Sequence, residues 1–178
     1  MIKSFSTTAL VIKRRNYRET DQFTTIFCQP KGKLTVVSKG VRTLKSSKKA
    51  AIEPGNIIKA FIVNTKGMPI LTQARLSTNC YHLQNQLSSV RQLTQLLEII
   101  DSLFVEEEIE DQLFQLVLTI HHQILNNQSN QQIKHNLKTL VSKLGYQHLD
   151  QTNHSSILDY ISEIIERPML SFDYLKVS

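Results

Sequence analysis

The strongest constraint on the fold is a change of hydrophobic period near residue 80. Before it, short stretches alternate polar and apolar residues or are rich in β-branched residues. After it, apolar residues recur every three or four positions, as on the buried face of a helix. The sequence therefore predicts an α+β protein, with a β-rich domain over residues 1–80 and an all-helical domain over residues 81–178.

The first 80 residues hold a series of predicted strands separated by turn-forming Pro and Gly residues. Their predicted bounds are Thr7–Arg14, Asp21–Cys28, Lys33–Lys39, Asn56–Asn64 and Ile70–Thr78. Five short strands in so few residues favour a small barrel. The second strand alternates, with Phe23, Thr25 and Phe27 on one face, and we expect both phenylalanines in the barrel core, with base stacking as the alternative. Residues 43–52 are a candidate for a short helix.

The second half is predicted to contain four helices. Three follow the apolar spacing over residues 90–104, 113–124 and 133–144, and a fourth begins after Ser155 or Ser156 and ends before Pro168. The acidic run from Glu106 to Asp111 is interpreted as the start of the second helix, where acids interact favourably with the helix dipole. The alternative, a cation site, is disfavoured.

Charge divides the chain at the same place. Residues 1–80 carry 15 Lys and Arg against 3 Asp and Glu, a net of +12. Residues 81–178 carry 6 Lys and Arg against 12 Asp and Glu, a net of −6. A basic half of this size indicates a surface that binds a polyanion. The alternative is a basic domain that docks on an acidic neighbour.

The residues offer no catalytic constellation, so we predict that the protein is not an enzyme. The glycines are scattered rather than grouped in a phosphate-binding loop, and no Gly-x-Ser-x-Gly motif occurs. His121 and His122 are adjacent, so on a helix they point about 100° apart and cannot share a metal. Cys28 and Cys80, the two cysteines, are too few for a disulfide framework or a four-cysteine zinc site. We expect a reduced, soluble, cytoplasmic protein without a secretory signal or a membrane span.

The basic residues of the first half cluster around the ends of the first three predicted strands. Small barrels build grooves for a nucleic-acid backbone from such clusters. The residues predicted to contact phosphates are Lys13, Arg14, Arg15, Arg18, Lys31, Lys33, Lys39, Arg42, Lys45, Lys48 and Lys49. Tyr17 lies inside the first cluster and is a candidate for stacking on a base.

The stretch 9–21 resembles the opening of the bacterial RecO recombination mediators. It is a strand that ends in Lys13-Arg14-Arg15 and is followed by a Tyr-x-Glu-x-Asp run. The resemblance continues through residues 25–27, 31–34, 36–42, 45–46 and 53–55, and Leu144-Gly145-Tyr146 is similar to a signature of the family at a helix end.

This resemblance implies an N-terminal OB-fold barrel and a helical C-terminal domain. Members of the family bind single- and double-stranded DNA and anneal complementary strands. They assist the loading of RecA together with RecR, and many also bind the C-terminal tail of the single-stranded-DNA-binding protein. No nucleotide is hydrolysed, no cofactor is implied, and the expected location is the cytoplasm at the nucleoid.

Two departures from the family pattern shape the expectations. Many relatives carry a four-cysteine zinc module after the Leu-Gly-Tyr signature, but residues 147–154 contain only His148 and His154 as ligands of zinc, so we predict no metal. The last helices of the family are expected to be reduced or absent. For the tail of the single-stranded-DNA-binding protein, the candidate residues in the helical domain are Lys134, Lys138 and Arg167.

Two other functions remain open from the residues alone. One is an RNA-binding OB-fold protein, because RNA and DNA present the same phosphates. The other is a protein-interaction adaptor whose basic face meets an acidic partner. The sequence does not fix the oligomeric state or the surface that would bind RecR.

Overall fold

The structure is a computed structural model that describes residues 4–171. The strands are β1 Ser4–Tyr17, β2 Asp21–Cys28, β3 Gly32–Ser38, β4 Ile57–Val63 and β5 Ile70–Thr78. The helices are α1 Leu87–Leu103, α2 Asp111–Leu125, α3 Asn130–Lys143 and α4 Ile157–Ile164, with short 3-10 turns at Tyr81–Asn85 and Leu149–Gln151. Residues 172–178, where the expectation about the last helices falls, lie outside the described residues.

The five strands close into a barrel in the order β1-β2-β3-β5-β4. Because β1 is long, its first part pairs with β4 and its second part with β2, both antiparallel. The barrel closes where β3 meets β5 in a parallel pair at Val37 and Ile70, with the Val37 amide donating to the Pro69 carbonyl at 2.8 Å. The predicted OB-fold barrel and the α+β class are confirmed.

Strict alternation builds the barrel core. In β3, Leu34, Val36 and Ser38 are buried while the residues between them are partly exposed. The inward-facing apolar residues form one core cluster. Its members are Ala9, Val11, Ile26, Cys28, Leu34, Val36, Val41, Ala51, Ile52, Ile58, Ala60, Ile62 and Leu71. Cys28 is therefore a small residue of the core, and burial raises the pKa of its thiol to about 11.

The connection from β3 to β4 is a series of turns, so the expectation of a short helix over residues 43–52 is wrong. Isolated three-residue hydrogen bonds run from Ser46 to Thr43 and from Lys49 to Ser46, without a continuous helical ladder. Three lysines at helical spacing in this stretch would repel each other, which disfavours a helix. The turns leave the basic side chains on the surface while Ala51 and Ile52 enter the core.

The acidic run does not begin a helix as predicted, because only Asp111 lies in the first turn of α2. The segment before it, Phe104–Ile109, packs on the barrel as a non-helical strap with a bend at Glu106 and Glu107. Phe104 covers Phe27 edge to face at 4.6 Å between ring centroids. Phe27 is thus fully buried, yet it lies outside the core cluster, on the outer face of the barrel.

The four predicted helices are confirmed. In this part of the chain α2 packs against α1 and α3, and α3 packs against α4. Ser156 caps α4, since its hydroxyl accepts a hydrogen bond from the Leu158 amide at 3.2 Å. Gly145, with φ of 90°, follows the end of α3. His121 is fully buried in α2.

Contacts divide the chain into two compact units. Of the described residues, the first unit comprises those up to His82 together with the strap, and the second comprises Leu83–Leu103 and those from Glu110 onward. These units differ in one respect from a single domain boundary at residue 80. The strap follows α1 in sequence but belongs to the barrel unit. No helix within the described range is long and apolar enough to cross a membrane.

Candidate nucleic-acid interface

A bulge in β1 determines which of its basic side chains face outward. The pairing with β2 shifts register between Val11 and Lys13. Beyond the shift, Lys13 lies opposite Thr25 and Arg15 opposite Phe23. Directly paired residues place their side chains on the same face of a sheet, so these four side chains share the outer face. Bulges commonly redirect side chains in this way, and without this one Lys13 and Arg15 would face the barrel interior.

Arg14 alternates to the other face, opposite the buried Thr24. Its Nη1 atom lies 2.6 Å from Oε1 of Glu53, and its side chain is 31% exposed. The charge of Arg14 is therefore partly satisfied within the protein. Of the three consecutive basic residues in β1, Lys13 and Arg15 are the better placed for an external anion.

The middle of the outer face carries hydroxyl groups. Thr25 of β2 and Thr35 of β3 are paired in register, and their hydroxyls lie 3.1 Å apart. A groove of about 510 Å³ crosses the three strands at this point, and we call it the first groove. It is lined by Lys13, Arg14, Arg15, Phe23, Thr25, Thr35 and Met68.

A second groove of about 290 Å³ lies beside the first and shares Phe23 and Met68 with it. It is lined by Tyr17, Arg18, Asp21, Phe23, Val37, Lys39, Met68 and Ile70. Met68 belongs to the loop between β4 and β5 and is 41% exposed. In OB folds, the face of the second and third strands and this loop are the usual binding surface for oligonucleotides.

Two aromatic rings and two guanidinium groups form a continuous stack along the outer face. Tyr17 packs on Phe23 with ring centroids 4.2 Å apart. The Arg15 guanidinium lies 5.6 Å from the centre of the Phe23 ring, and that of Arg18 lies 5.0 Å from the centre of the Tyr17 ring. These cation–π distances hold both cations over apolar rings that also present a stacking surface.

The turn between β1 and β2 is fixed by the segment that follows β3. Arg42 Nη1 donates to the carbonyls of Arg18 and Glu19 at 3.2 and 2.8 Å, and the Arg42 amide donates to Thr20 at 2.9 Å. Arg18 has a left-handed φ of 55°. Arg42 therefore holds the turn that carries Arg18, although it lines neither groove.

Asp21 also stabilises the turn between β1 and β2. Its Oδ1 accepts the Gly40 amide at 2.8 Å and the Thr20 hydroxyl at 3.2 Å. The backbone hydrogen bond from Gly40 is the main cause that lowers the pKa of Asp21 below its usual value, so the side chain is ionised at neutral pH.

Lys48 has a structural role in this arrangement. Its Nζ donates to the carbonyls of Lys39 and Leu71 at 3.1 and 3.2 Å, and burial lowers the pKa of its ammonium group. Its neighbours Lys45 and Lys49 are exposed on the turns after β3, outside both grooves. Lys39 alone among the predicted residues of this segment lines a groove.

Lys31 and Lys33 lie at the other end of the outer face, by the turn between β2 and β3. Lys31 is exposed and Lys33 partly buried. The Lys33 amide donates to Val105 of the strap at 3.0 Å, so the strap covers the sheet here. The predicted basic set therefore separates into residues that line the grooves, residues that hold the turns, and residues beyond the grooves.

Sequence reasoning did not assign seven lining residues of the two grooves to the predicted site. They are Phe23, which was expected in the core with base stacking as the alternative, and Asp21, Thr25, Thr35, Val37, Met68 and Ile70. The alternation of β2 correctly placed Phe23, Thr25 and Phe27 on one face. That face is the outer one, because the register with β3 sets Phe23 opposite Val37 rather than toward the core cluster.

The three candidates in the helical unit do not converge. Lys138 pairs with Asp150 at 3.4 Å, and Arg167 donates to the Ser102 hydroxyl at 3.0 Å. Lys134 lines a shallow groove with apolar residues of α3 and α4, among them Leu137 and Leu158. Only Lys134 therefore borders an apolar depression of the kind that a peptide tail would need.

Metal ligands are not grouped within residues 4–171, where no cluster of three His, Cys, Asp or Glu side chains is arranged to hold an ion. His148 lies 3.5 Å from Asp150, while His154 pairs with Glu163. Cys80 is buried, its Sγ donates to the Gly55 carbonyl at 2.7 Å, and burial raises the pKa of the thiol to about 11.

Comparison with known proteins shows similarity to RecO proteins. Residues 1–80 match the family model described as "Recombination protein O N terminal". The chain is similar to the DNA repair protein RecO of Syntrophomonas wolfei, with 28% identity over 139 residues that make up 78% of this chain and 56% of the relative. The match to this family model covers residues 1–80, and the similarity to RecO proteins extends over most of the chain.

Further RecO proteins give the same result. The DNA repair protein RecO of Salinibacter ruber is 29% identical over 66% of this chain and 46% of the relative, and that of Alkaliphilus metalliredigens is 27% identical over 65% and 47%. The chain thus spans about half the length of the curated relatives it matches. These relatives carry the name DNA repair protein RecO, and the basic outer face of the barrel lies within the matched residues 1–80.

Proposed function

We propose that this protein is a mediator of recombinational DNA repair that binds single- and double-stranded DNA and anneals complementary strands without catalysing a reaction. The observation that carries the proposal is the first groove, in which Lys13 and Arg15 face outward beside the paired hydroxyls of Thr25 and Thr35. Ammonium and guanidinium groups release counterions from phosphates, and hydroxyls donate to phosphate oxygens. In the proposed domain organisation, residues 1–80 bind DNA and residues 81–178 form the helical domain.

Annealing follows from the same chemistry. Two complementary strands repel each other through their phosphates, and a cationic surface that contacts both backbones reduces this repulsion. Contacts to phosphates leave the base edges free to pair. Annealing of two labelled complementary strands, measured across a salt series, is the direct assay. We expect acceleration that fades as salt increases.

The interface is tested by reversing charge in the first groove. Lys13→Glu with Arg15→Glu should weaken binding of a single strand by about tenfold or more, because two phosphate contacts become repulsive. Lys59→Glu with Arg75→Glu is the matched control: these exposed residues pair across β4 and β5, outside both grooves, and the change in net charge is identical. Equal losses in both variants, each shown to be folded by circular dichroism, would contradict the assignment of the groove.

Binding experiments distinguish the DNA-repair proposal from the two alternatives, RNA binding and docking on an acidic protein. DNA and RNA of equal length and sequence compete for a labelled complex, and a clear preference for RNA would overturn the DNA-repair proposal. Absence of binding to either polymer at low salt would instead favour a basic face that docks on a protein.

We further propose that the protein acts in the cytoplasm, at the nucleoid, with RecR and the RecA pathway. The helical domain would contact the C-terminal tail of the single-stranded-DNA-binding protein through the groove that includes Lys134. Co-sedimentation with RecR, and binding of a labelled tail peptide to the wild type and to Lys134→Glu, test these partners. Unchanged peptide affinity in that variant would exclude the groove as the site.

A further inference from the structure

The two grooves differ in chemistry although they adjoin. The first groove combines the cations Lys13 and Arg15 with two threonine hydroxyls. The second groove has the apolar residues Val37 and Ile70 among its lining, besides the shared Phe23 and Met68. Cations and hydroxyls suit a phosphate backbone, whereas an apolar wall beside aromatic rings suits the face of a base.

The arrangement of the lining residues fits one unpaired base in the second groove. Its volume of about 290 Å³ is smaller than that of the first groove and accommodates a single base. Phe23 and Met68 border both grooves, so a strand whose backbone follows the first groove reaches the second directly. Arg18 and Lys39 at its rim supply cations for the next phosphate.

Asp21 is the one acidic side chain among the residues that line the second groove. A carboxylate there opposes phosphate binding, yet it is suited to accept a hydrogen bond from an amino group of a base. Both hydrogen bonds that Asp21 makes use Oδ1, which leaves Oδ2 as a further acceptor. Because the lowered pKa keeps it ionised, the side chain accepts and does not donate.

We propose that the second groove binds one unpaired base and that Asp21 makes it select bases with an exocyclic amino group, cytosine over thymine. This inference rests on the proposed nucleic-acid binding and adds a base preference to it. Cytosine presents an N4 amino donor where thymine presents an O4 acceptor. The Asp21 carboxylate accepts a hydrogen bond from the cytosine amino group and repels the thymine O4 oxygen.

The test compares oligo(dC) with oligo(dT) of equal length by fluorescence anisotropy. The two polymers carry the same phosphates and both have pyrimidine bases, so the backbone contribution is matched. For the wild type we expect about threefold to tenfold tighter binding of oligo(dC), in line with one charge-assisted hydrogen bond to a base.

The second part of the test repeats this comparison with the variant Asp21→Asn. The amide oxygen of asparagine can still accept the Gly40 amide, while its NH₂ group donates to thymine O4. We expect the preference to disappear or to reverse toward oligo(dT). Glu19→Gln is the matched control, since it removes the same charge two residues away and outside the groove. It should keep the preference of the wild type.

Each outcome has a distinct meaning. Equal affinity of the wild type for both oligonucleotides overturns the inference and leaves the proposed function intact. A preference that survives Asp21→Asn also overturns it. Failure of the wild type to bind either oligonucleotide at low salt overturns the proposed function itself.

Discussion

At the level of single residues, Arg42 shows how a basic side chain can serve binding without touching the ligand. Sequence reasoning grouped it with the phosphate contacts, whereas its guanidinium holds the carbonyls of Arg18 and Glu19. Arg18 in turn lies over Tyr17 at the second groove. We therefore regard Arg42 as a positioning residue for the stack.

Arg42→Ala should weaken single-strand binding by a few-fold, because the turn that carries Arg18 loses the hydrogen bonds that the Arg42 guanidinium donates to its carbonyls. A direct phosphate contact would also reduce the slope of log K against log salt by about 0.7, whereas a positioning residue leaves that slope unchanged. Binding titrations at four salt concentrations distinguish the two roles. Arg42→Lys is the control, since it keeps the charge but replaces the rigid guanidinium, whose Nη1 reaches both carbonyls, by a flexible ammonium group.

Sequence reasoning had clear limits at this scale. It placed Phe23, Thr25 and Phe27 on one face, because side chains alternate along a strand. It assigned that face to the core because apolar residues are usually buried. Two features that the pattern does not reveal decide otherwise: the bulge after Val11 and the strap that buries Phe27 from outside.

At the level of elements, strands and helices were the most predictable features. The bounds of β2 and β5 agree with the prediction at both ends, because clear alternation and turn residues mark them. β1 is longer than predicted and ends at Tyr17, so the basic residues before it are strand residues with fixed directions. The strap was not predicted, because its packing depends on contacts distant in sequence.

Two glycines allow the contribution of the strap to be measured. Gly32 and Gly40 both have left-handed backbones, with φ of 54° and 64°. A Cβ at Gly32 would lie 2.6 Å from the carbonyl oxygens of Val105 and Glu107, while a Cβ at Gly40 would meet nothing within 4 Å. Substitution by alanine therefore adds backbone strain at both sites and a steric clash at one.

Gly40→Ala should lower the free energy of unfolding by about 1 kcal/mol, the cost of a left-handed backbone for a residue with a Cβ. Gly32→Ala should lower it by about 2–4 kcal/mol, because the strap must also move. Urea unfolding of both variants gives the comparison. Equal losses would show that the strap contributes little to the stability of the barrel.

At the level of the whole molecule, charge is divided between the halves of the chain. The basic excess lies in residues 1–80, and the acidic excess lies in residues 81–178. This division was fully visible in the sequence. The role of each basic residue was not visible, because only part of the basic set lines the grooves. Lys13, Arg15, Arg18 and Lys39 line them, as does Arg14, which is paired with Glu53. Lys48 and Arg42 bind backbone carbonyls.

The salt dependence of binding should reflect this smaller set. With about four phosphates neutralised in the grooves, log K for a single strand should fall with log salt at a slope of about −3. Anisotropy titrations between low and moderate salt measure the slope directly. A slope about twice as steep would mean that Lys31, Lys33, Lys45 and Lys49 also contact the strand.

The position of the strap also affects the order of events during protein synthesis. The barrel unit needs residues up to Ile109, but its fifth strand ends at Thr78 and α1 is made in between. At usual translation rates, the ribosome takes about 1–5 s to add the residues from His82 to Ile109. During that interval Phe27 lacks the cover that Phe104 later provides, so this is the stage at which a chaperone would find its apolar surface.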